Sequence, residues 1–383
     1  MRSRSYPSLL TSLLLTVVFF PQGKVEAQFP SELESEYLRA EVMSILSEEE
    51  TTYGSTPRTV QQVVLRIISG EDTGKELTIE NGVLSGREDM RLKEGEKVIM
   101  EKLQMIDGET RYLVRDKYRL PSLLWLTALF LGFGIALGRK RGAMSILGLF
   151  LSILVLTMFV VPKIIAGSNP FFISLVGAFI IATGSILLAH GVNKRTGIAL
   201  ASTLITLTLS IFLAFFFVTS AKLFGTGSEE SIYLQFGALK NVNLRGLLLG
   251  GIIIGALGVL DDITTAQTAV IDELRRANPK MRFQELYNAG ISIGREHIAS
   301  LINTLALAYV GASLPLLLLF TTDTTTPLWA LISSEFMAEE IVRALVGSTT
   351  LLFAVPISTW LAAWAFHGTP ITASSHPAHR HIH

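Results

Sequence analysis

Two adjacent carboxylates, Asp261 and Asp262, stand inside a long apolar run over residues 247–272, LLLGGIIIGALGVLDDITTAQTAVID. Thr264, Thr265, Gln267 and Thr268 follow within two helical turns. A charge at bilayer depth costs several kcal/mol, so such residues mark function by default. Two carboxylates this close cannot both ionise comfortably in a low dielectric, and the pair can then hold and release a proton. Asp oxygens beside Thr hydroxyls also suit hard cations. Two plainer readings stand next to these. The helix ends early and the pair caps it, or the pair serves packing within a bundle. At ~1.5 Å per residue, Asp261 lies ~24 Å from Arg245 and ~21 Å from Arg275, near mid-bilayer.

Helical spacing puts Gly251, Gly255, Gly258, Asp262 and Thr265 on one stripe. Asp261, Thr265, Thr268 and Asp272 fall on an adjoining one. The expectation is that this small, polar side packs inward, with Gly251, Gly255 and Gly258 as helix-packing positions. Gly246 with Gly250, and Gly251 with Gly255, form two GxxxG spacings. The opposite side, with Leu249, Ile252, Ala256, Leu260 and Ile263, would face lipid. Supporting polar groups are expected from Thr265 and Thr268 on the same helix, and from Asn303 and Thr304 beside Ser300 on another. Thr203, Thr206 and Ser210 form a further polar face. Intramembrane Ser and Thr more often bond their own helix backbone than a ligand.

Positioning the pair requires a membrane bundle. The chain has 383 residues, 49% hydrophobic and 17% charged, with zero formal net charge and no cysteine. A soluble domain carries roughly 25% charged residues. The charge balance gives no basic footprint for nucleic acid, and the absence of Cys removes disulfides, thiolate nucleophiles and Cys-based metal sites. Windows of ~20 residues mark seven spans. They are Ser122–Gly138, Ala143–Val161, Pro170–His190, Ile198–Thr219, Leu247–Val270, Ile298–Phe320 and Gly347–Phe366. Lys and Arg gather after the first, third and fifth: Arg139, Lys140 and Arg141, then Lys194 and Arg195, then Arg275, Arg276, Lys280, Arg282 and Arg295. Their excess marks the cytoplasmic side, which places residues 28–119 outside and the C-terminus inside. External loops follow at residues 221–245 and 323–340.

Residues 28–119 read as short strands with turns at Gly70–Gly74, Asn81-Gly82, Glu94-Gly95 and Asp107-Gly108. Val63, Leu65 and Ile67 alternate against Gln62 and Arg66. A helix or strand is expected at Tyr37–Leu46. The whole predicts a small β-barrel of the OB or SH3-like kind without a catalytic constellation. Before it, Arg2, Arg4, an apolar run Leu9–Phe20 and small residues Val25 and Ala27 have the layout of a secretory signal or a retained anchor. The last residues, 369–383, hold His376, His379, His381 and His383, read as a solvated cytoplasmic tail rather than a metal site.

The chain resembles the YibE/F family of bacterial membrane proteins. The residues that carry this are TVQQVVLRIISGEDTGKELTIENG, LKEGEKVIM and YLVRDKYR in the exported part. GALGVLDDITTAQTAVIDEL and EHIASLINTLALAYVGASLPLLLL carry it in the membrane part. The resemblance implies architecture and a bacterial cell-membrane location. A more local similarity, over about residues 250–320, is to RND-type transporters and SecD/SecF proteins, whose paired aspartates relay protons; the matching positions are Asp261 and Asp262. The chain departs from them in having one set of spans, a small exported domain and no relay lysine. The reading is thus an α-helical polytopic membrane protein with an exported all-β domain. Its expected segments are 1–27 (signal or anchor), 28–119 (β-domain), 120–368 (spans) and 369–383 (tail). The function it points to is transport with proton or cation coupling at Asp261 and Asp262. The alternative is a non-transporting scaffold or sensor whose β-domain binds an envelope partner. No nucleophile–base pair or metal motif points to an enzyme, and no cofactor is expected. The partners expected are the bilayer and either a homo-oligomer or another membrane protein.

Overall fold

The computed structural model describes residues 35–53, 56–82, 91–105, 108–237, 241–322 and 325–368. The expected signal or anchor and the His-rich tail lie outside these residues. The chain divides into two compact units at Phe133/Gly134.

Among the described residues, the first unit holds five strands: β1 (Ser35–Tyr53), β2 (Thr56–Ile67), β3 (Glu76–Asn81), β4 (Lys97–Gln104) and β5 (Thr110–Lys117). All pairings are antiparallel, in the order β3-β2-β1-β4-β5. The period-2 alternation read from the sequence is what builds the core. Leu38, Ala40 and Val42 of β1 point inward with Val63, Leu65 and Ile67 of β2, and with Val98 and Met100 of β4. The stretch read as a helix or strand at Tyr37–Leu46 is one long strand, bent by register shifts between Val42 and Ser44 and between Ile45 and Ser47. Bulges of this kind bend a strand and raise its twist. The sheet curls into a half-barrel, so that Tyr112 of β5 reaches Asp72 in the β2–β3 turn. Gly82 ends β3 at φ +110, and a Cβ there would collide with the Thr59 carbonyl oxygen, so glycine is required. Gln61 is buried, yet fully used: its amide donates to the Leu92 carbonyl (3.2 Å) and accepts from the Leu92 N–H (2.7 Å).

The β2–β3 turn carries a charge-assisted cluster. Lys102 Nζ donates to Asp72 Oδ2 at 2.5 Å and the Tyr112 hydroxyl donates to the same oxygen at 3.0 Å. The Lys102 hydrogen bond, then that of Tyr112, holds the Asp72 carboxyl below its ordinary value. A carboxyl depressed in the folded state adds stability above its unfolded value, near pH ~4, and loses it as pH falls through the lower folded value. Hydrogen exchange on the full chain should therefore show protection across β2–β5 weakening below roughly pH 4. Asp72→Asn should weaken protection at neutral pH and flatten that acid-side loss. An unchanged acid limb in Asp72→Asn would assign the loss to other carboxylates.

The second unit is helical. α1 (Leu120–Val155) begins before the division and is broken by non-helical backbone at Arg139, and a π-helical turn (Leu156–Val160) leads to the short α2 (Val161–Ile165). Then come α3 (Pro170–His190), α4 (Lys194–Ser220), α5 (Glu229–Phe236), α6 (Leu244–Ala277), α7 (Phe283–Ala312), α8 (Leu314–Thr322), α9 (Leu328–Ser333) and α10 (Glu335–Phe366). Side-chain caps start several of them. Asn169 accepts from Phe171 N, Asn193 from Thr196 N and Asn243 from Gly246 N. Such caps satisfy amides that the first turn leaves open.

Among the described residues, five helical segments are long and apolar enough to cross a membrane: Leu120–Ile165, Pro170–His190, Lys194–Ser220, Leu244–Ala277 and Glu335–Phe366. The first covers two of the spans expected from sequence, and the break at Arg139 (φ 50) falls between them. The expected span Ile298–Phe320 is not one helix. α7 stops at Ala312, Ser313 leaves helical geometry, and α8 begins ahead of Pro315. Proline disfavours helical backbone at the residue before it and offers no N–H to the preceding turn. α6 is the central helix, packed against α3, α4, α7 and α10.

Candidate functional site

α6 and α3 run parallel in contact, in a constant register. Gly246 meets the Phe171 backbone and Gly250 meets Ser174 Oγ. The same offset brings Ser185 to Asp261, and its hydroxyl donates to Asp261 Oδ2 at 2.8 Å. Asp261 is half-buried, and its other oxygen, Oδ1, is enclosed with no hydrogen-bond partner. Gly148 lets α1 approach the Ser185 backbone from the other side, 3.4 Å from where a Cβ would stand. Asp262 is exposed in the single chain, and its side chain has no hydrogen bond among the described residues.

Below the pair, a polar layer ties α6 to its neighbours. Thr264 and Thr203 of α4 share a hydroxyl–hydroxyl bond of 2.6 Å. Gln267 is buried and donates to the Gly290 carbonyl of α7 (2.7 Å) and to Thr359 Oγ1 of α10 (2.8 Å). Gly290 and Gly294 make this junction close enough. A Cβ on Gly290 would collide with Ile271, and one on Gly294 with Val355.

The supporting residues expected from sequence are placed differently from one another. Thr265 donates to the Asp261 carbonyl at 2.8 Å, and Thr268 is buried and donates to the Thr264 carbonyl at 2.6 Å. Both hydroxyls therefore serve their own helix backbone. Asn303 and Thr304 are exposed on α7, and Thr304 donates to the Ser300 carbonyl at 2.9 Å. They are not brought to the aspartates in this chain.

Within the single chain, the phase of α6 is the reverse of the one expected from sequence. Leu249, Ile252, Ala256, Leu260 and Ile263, expected to face lipid, are buried in the bundle. Gly251, Gly255 and Gly258, expected at the packing face, are exposed and have no neighbouring atom within 4 Å of a built Cβ. Of the two GxxxG spacings, Gly246 with Gly250 is the one that packs within the chain. The reason is stereochemical. Thr264, Gln267 and Thr268 continue the face of Leu260 and Ile263, so the hydrogen bonds and the branched aliphatics point the same way.

Ser185 was not legible as a partner of Asp261. The available signal was a run of small residues at helical spacing, Ser174, Gly177, Ala178, Ala182 and Ser185, most of which are buried in α3. Thr203 was legible as part of a polar face, and it is the member that crosses to α6. Among the described residues no group of three His, Asp or Glu is placed to hold a metal ion.

No curated protein and no solved structure gives a significant match. The sequence pattern of the YibE/F-like proteins matches residues 126–368, more than half of the chain and all of the bundle that carries Asp261. The chain is an integral membrane protein, and it belongs to the YibE/F-like family.

Proposed function

We propose that this protein is a transporter of the bacterial cell membrane, coupled to protons or cations at Asp261 with Asp262 beside it. The observation that carries the reading is the unpartnered Asp261 Oδ1, enclosed midway along a membrane-length helix while Ser185 holds Oδ2. A buried carboxylate oxygen without a donor is costly to keep, and it leaves a place for one proton or one cation. In this reading the chain crosses the membrane seven times after the β-domain. The two arms of α1 are separate crossings, and α7 with α8 forms a broken one. The half-barrel, of the OB or SH3-like kind, lies outside and the C-terminus inside, as the Lys and Arg of the loops indicate.

The test is reconstitution into vesicles with an imposed pH or cation gradient. The wild type should dissipate the gradient faster than empty vesicles. Asp261→Asn should fall to the empty-vesicle rate, and Asp262→Asn should lie below wild type. Wild-type flux equal to that of empty vesicles under every gradient would sink the transport reading. The scaffold reading would then gain if cellular phenotype followed removal of the β-domain and ignored both aspartates.

A further inference from the structure

We propose that a second copy of this chain docks on the open face of α6, forming a symmetric dimer that covers Asp262 inside the membrane. The proposal rests on α6 crossing the bilayer and is independent of transport.

α6 is 34 residues long, and Asp262 stands ~27 Å from its first residue and ~22 Å from its last. α6 is longer than a hydrocarbon core of ~30 Å, so its ends extend past the core while Asp262, near its middle and about one turn from the level of the α3 end, lies inside it. Asp262 is nevertheless exposed in the single chain; His190, the last residue of α3, is its charged-group neighbour, and its side chain has no hydrogen bond among the described residues. Lipid tails offer none, and an aspartate side chain is too short to reach the headgroups. Lipid is therefore the wrong cover for this face.

The shape of the face favours another helix. Gly251, Gly255, Gly258, Ala266 and Ala269 share the stripe of Asp262, so no large side chain stands on it over five turns. Cβ atoms at the three glycines would meet open space. Two helix backbones can approach closely over such a surface.

The chemistry favours a copy of the same chain. A covering surface that brings a hydrogen-bond donor to this level satisfies the carboxylate that His190 leaves without a hydrogen bond. α7 runs antiparallel beside α6, with Gly290 at Ile271 and Gly294 at Gln267. That register sets Asn303 level with Gly258, about one turn from Asp262. Asn303 is exposed, and its amide has no hydrogen bond among the described residues. Thr304 next to it is satisfied by the Ser300 carbonyl. An unsatisfied acceptor and an unsatisfied donor thus lie at nearly one depth on neighbouring helices of one chain. A two-fold interface presents the same surface from both sides, so each copy can offer Asn303 to the other's Asp262.

The chain has no cysteine, so single-cysteine variants report one position each. Gly255→Cys and Gly258→Cys, oxidised in native membranes, should give a band at twice the monomer mass. Phe212→Cys, on an exposed face of α4, should give little. In nanodiscs, light scattering should show a wild-type dimer, and Gly255→Leu should shift it to monomer with an unchanged melting temperature. A monomeric wild type without crosslinking at 255 or 258 overturns the proposal. So does equal crosslinking at 212, which marks random collision, or a crosslinked band of another mass, which marks a different protein. A crosslinked dimer without flux would leave this inference standing and remove transport; flux from a monomer would do the reverse.

Discussion

Gly142→Val should remove most folded protein from the membrane, while Gly138→Ala should leave it unchanged. At Arg139 the backbone turns to φ 50 and ψ −135 and leaves the helix. The chain then doubles back so tightly that a Cβ on Gly142 would collide with the Gly134 carbonyl oxygen and lie 3.1 Å from its carbon. On a straight helix, residues eight apart would be separated by ~12 Å. Both colliding partners are backbone, so no rotamer change relieves the clash. Overpacking typically costs ~1–3 kcal/mol, and a clash with rigid backbone belongs at the upper end. Gly138 is a control because a Cβ there meets nothing within 4 Å. The measurement is detergent-extracted yield and melting temperature by size-exclusion with tryptophan fluorescence. Equal melting of Gly142→Val and wild type would mean that the close turn is absent.

The second large effect belongs to the junction of α6, α7 and α10. Gly294→Leu should destabilise the bundle by about 3 kcal/mol, because its side chain must enter space held by Val355 and by the Gln267 amide, 3.1 Å from a built Cβ. Gln267→Leu should cost less, about 1 kcal/mol, the usual worth of hydrogen bonds between membrane helices. Gln267 makes two such bonds, to the Gly290 carbonyl and Thr359 Oγ1, so it also fixes the register of three helices. The double variant should cost less than the sum, since either change already opens the same junction. Unfolding in graded denaturing detergent, monitored for each variant, measures all three. Full additivity would show that the two positions do not share a junction.

The extent to which the sequence announced this arrangement differs between the two units. In the half-barrel, the alternation of Val63, Leu65 and Ile67 against Gln62 and Arg66 named the inner face correctly, because water on the outside makes polarity a compass. The turn at Asn81-Gly82 was equally readable, since a positive φ selects glycine. The long bent β1 was not, because bulges depend on the partner strand. In the helical unit, the apolar runs located most helices, while the caps at Asn169, Asn193 and Asn243 came only with the structure. The break at Ser313 divided a run that hydropathy alone had joined, because hydropathy does not register Pro315.

At Asp261 and Asp262 the division is sharpest. The sequence by itself determined that two carboxylates follow a long apolar run, with Thr and Gln one and two turns on; that the helix continues past them to Ala277 is a finding of the structure. Only the tertiary structure decided that Asp261 turns toward Ser185, that Asp262 stays open, and that the glycine stripe faces away from the bundle. Helical periodicity gives which residues share a face and is silent on where that face points. In water the apolar side must turn inward. In a bilayer the protein interior and the lipid are both apolar, so the hydrophobic effect has no preference between them. The choice falls to close packing and to hydrogen bonds such as those of Thr264 and Gln267, which exist only once the neighbouring helices are in place.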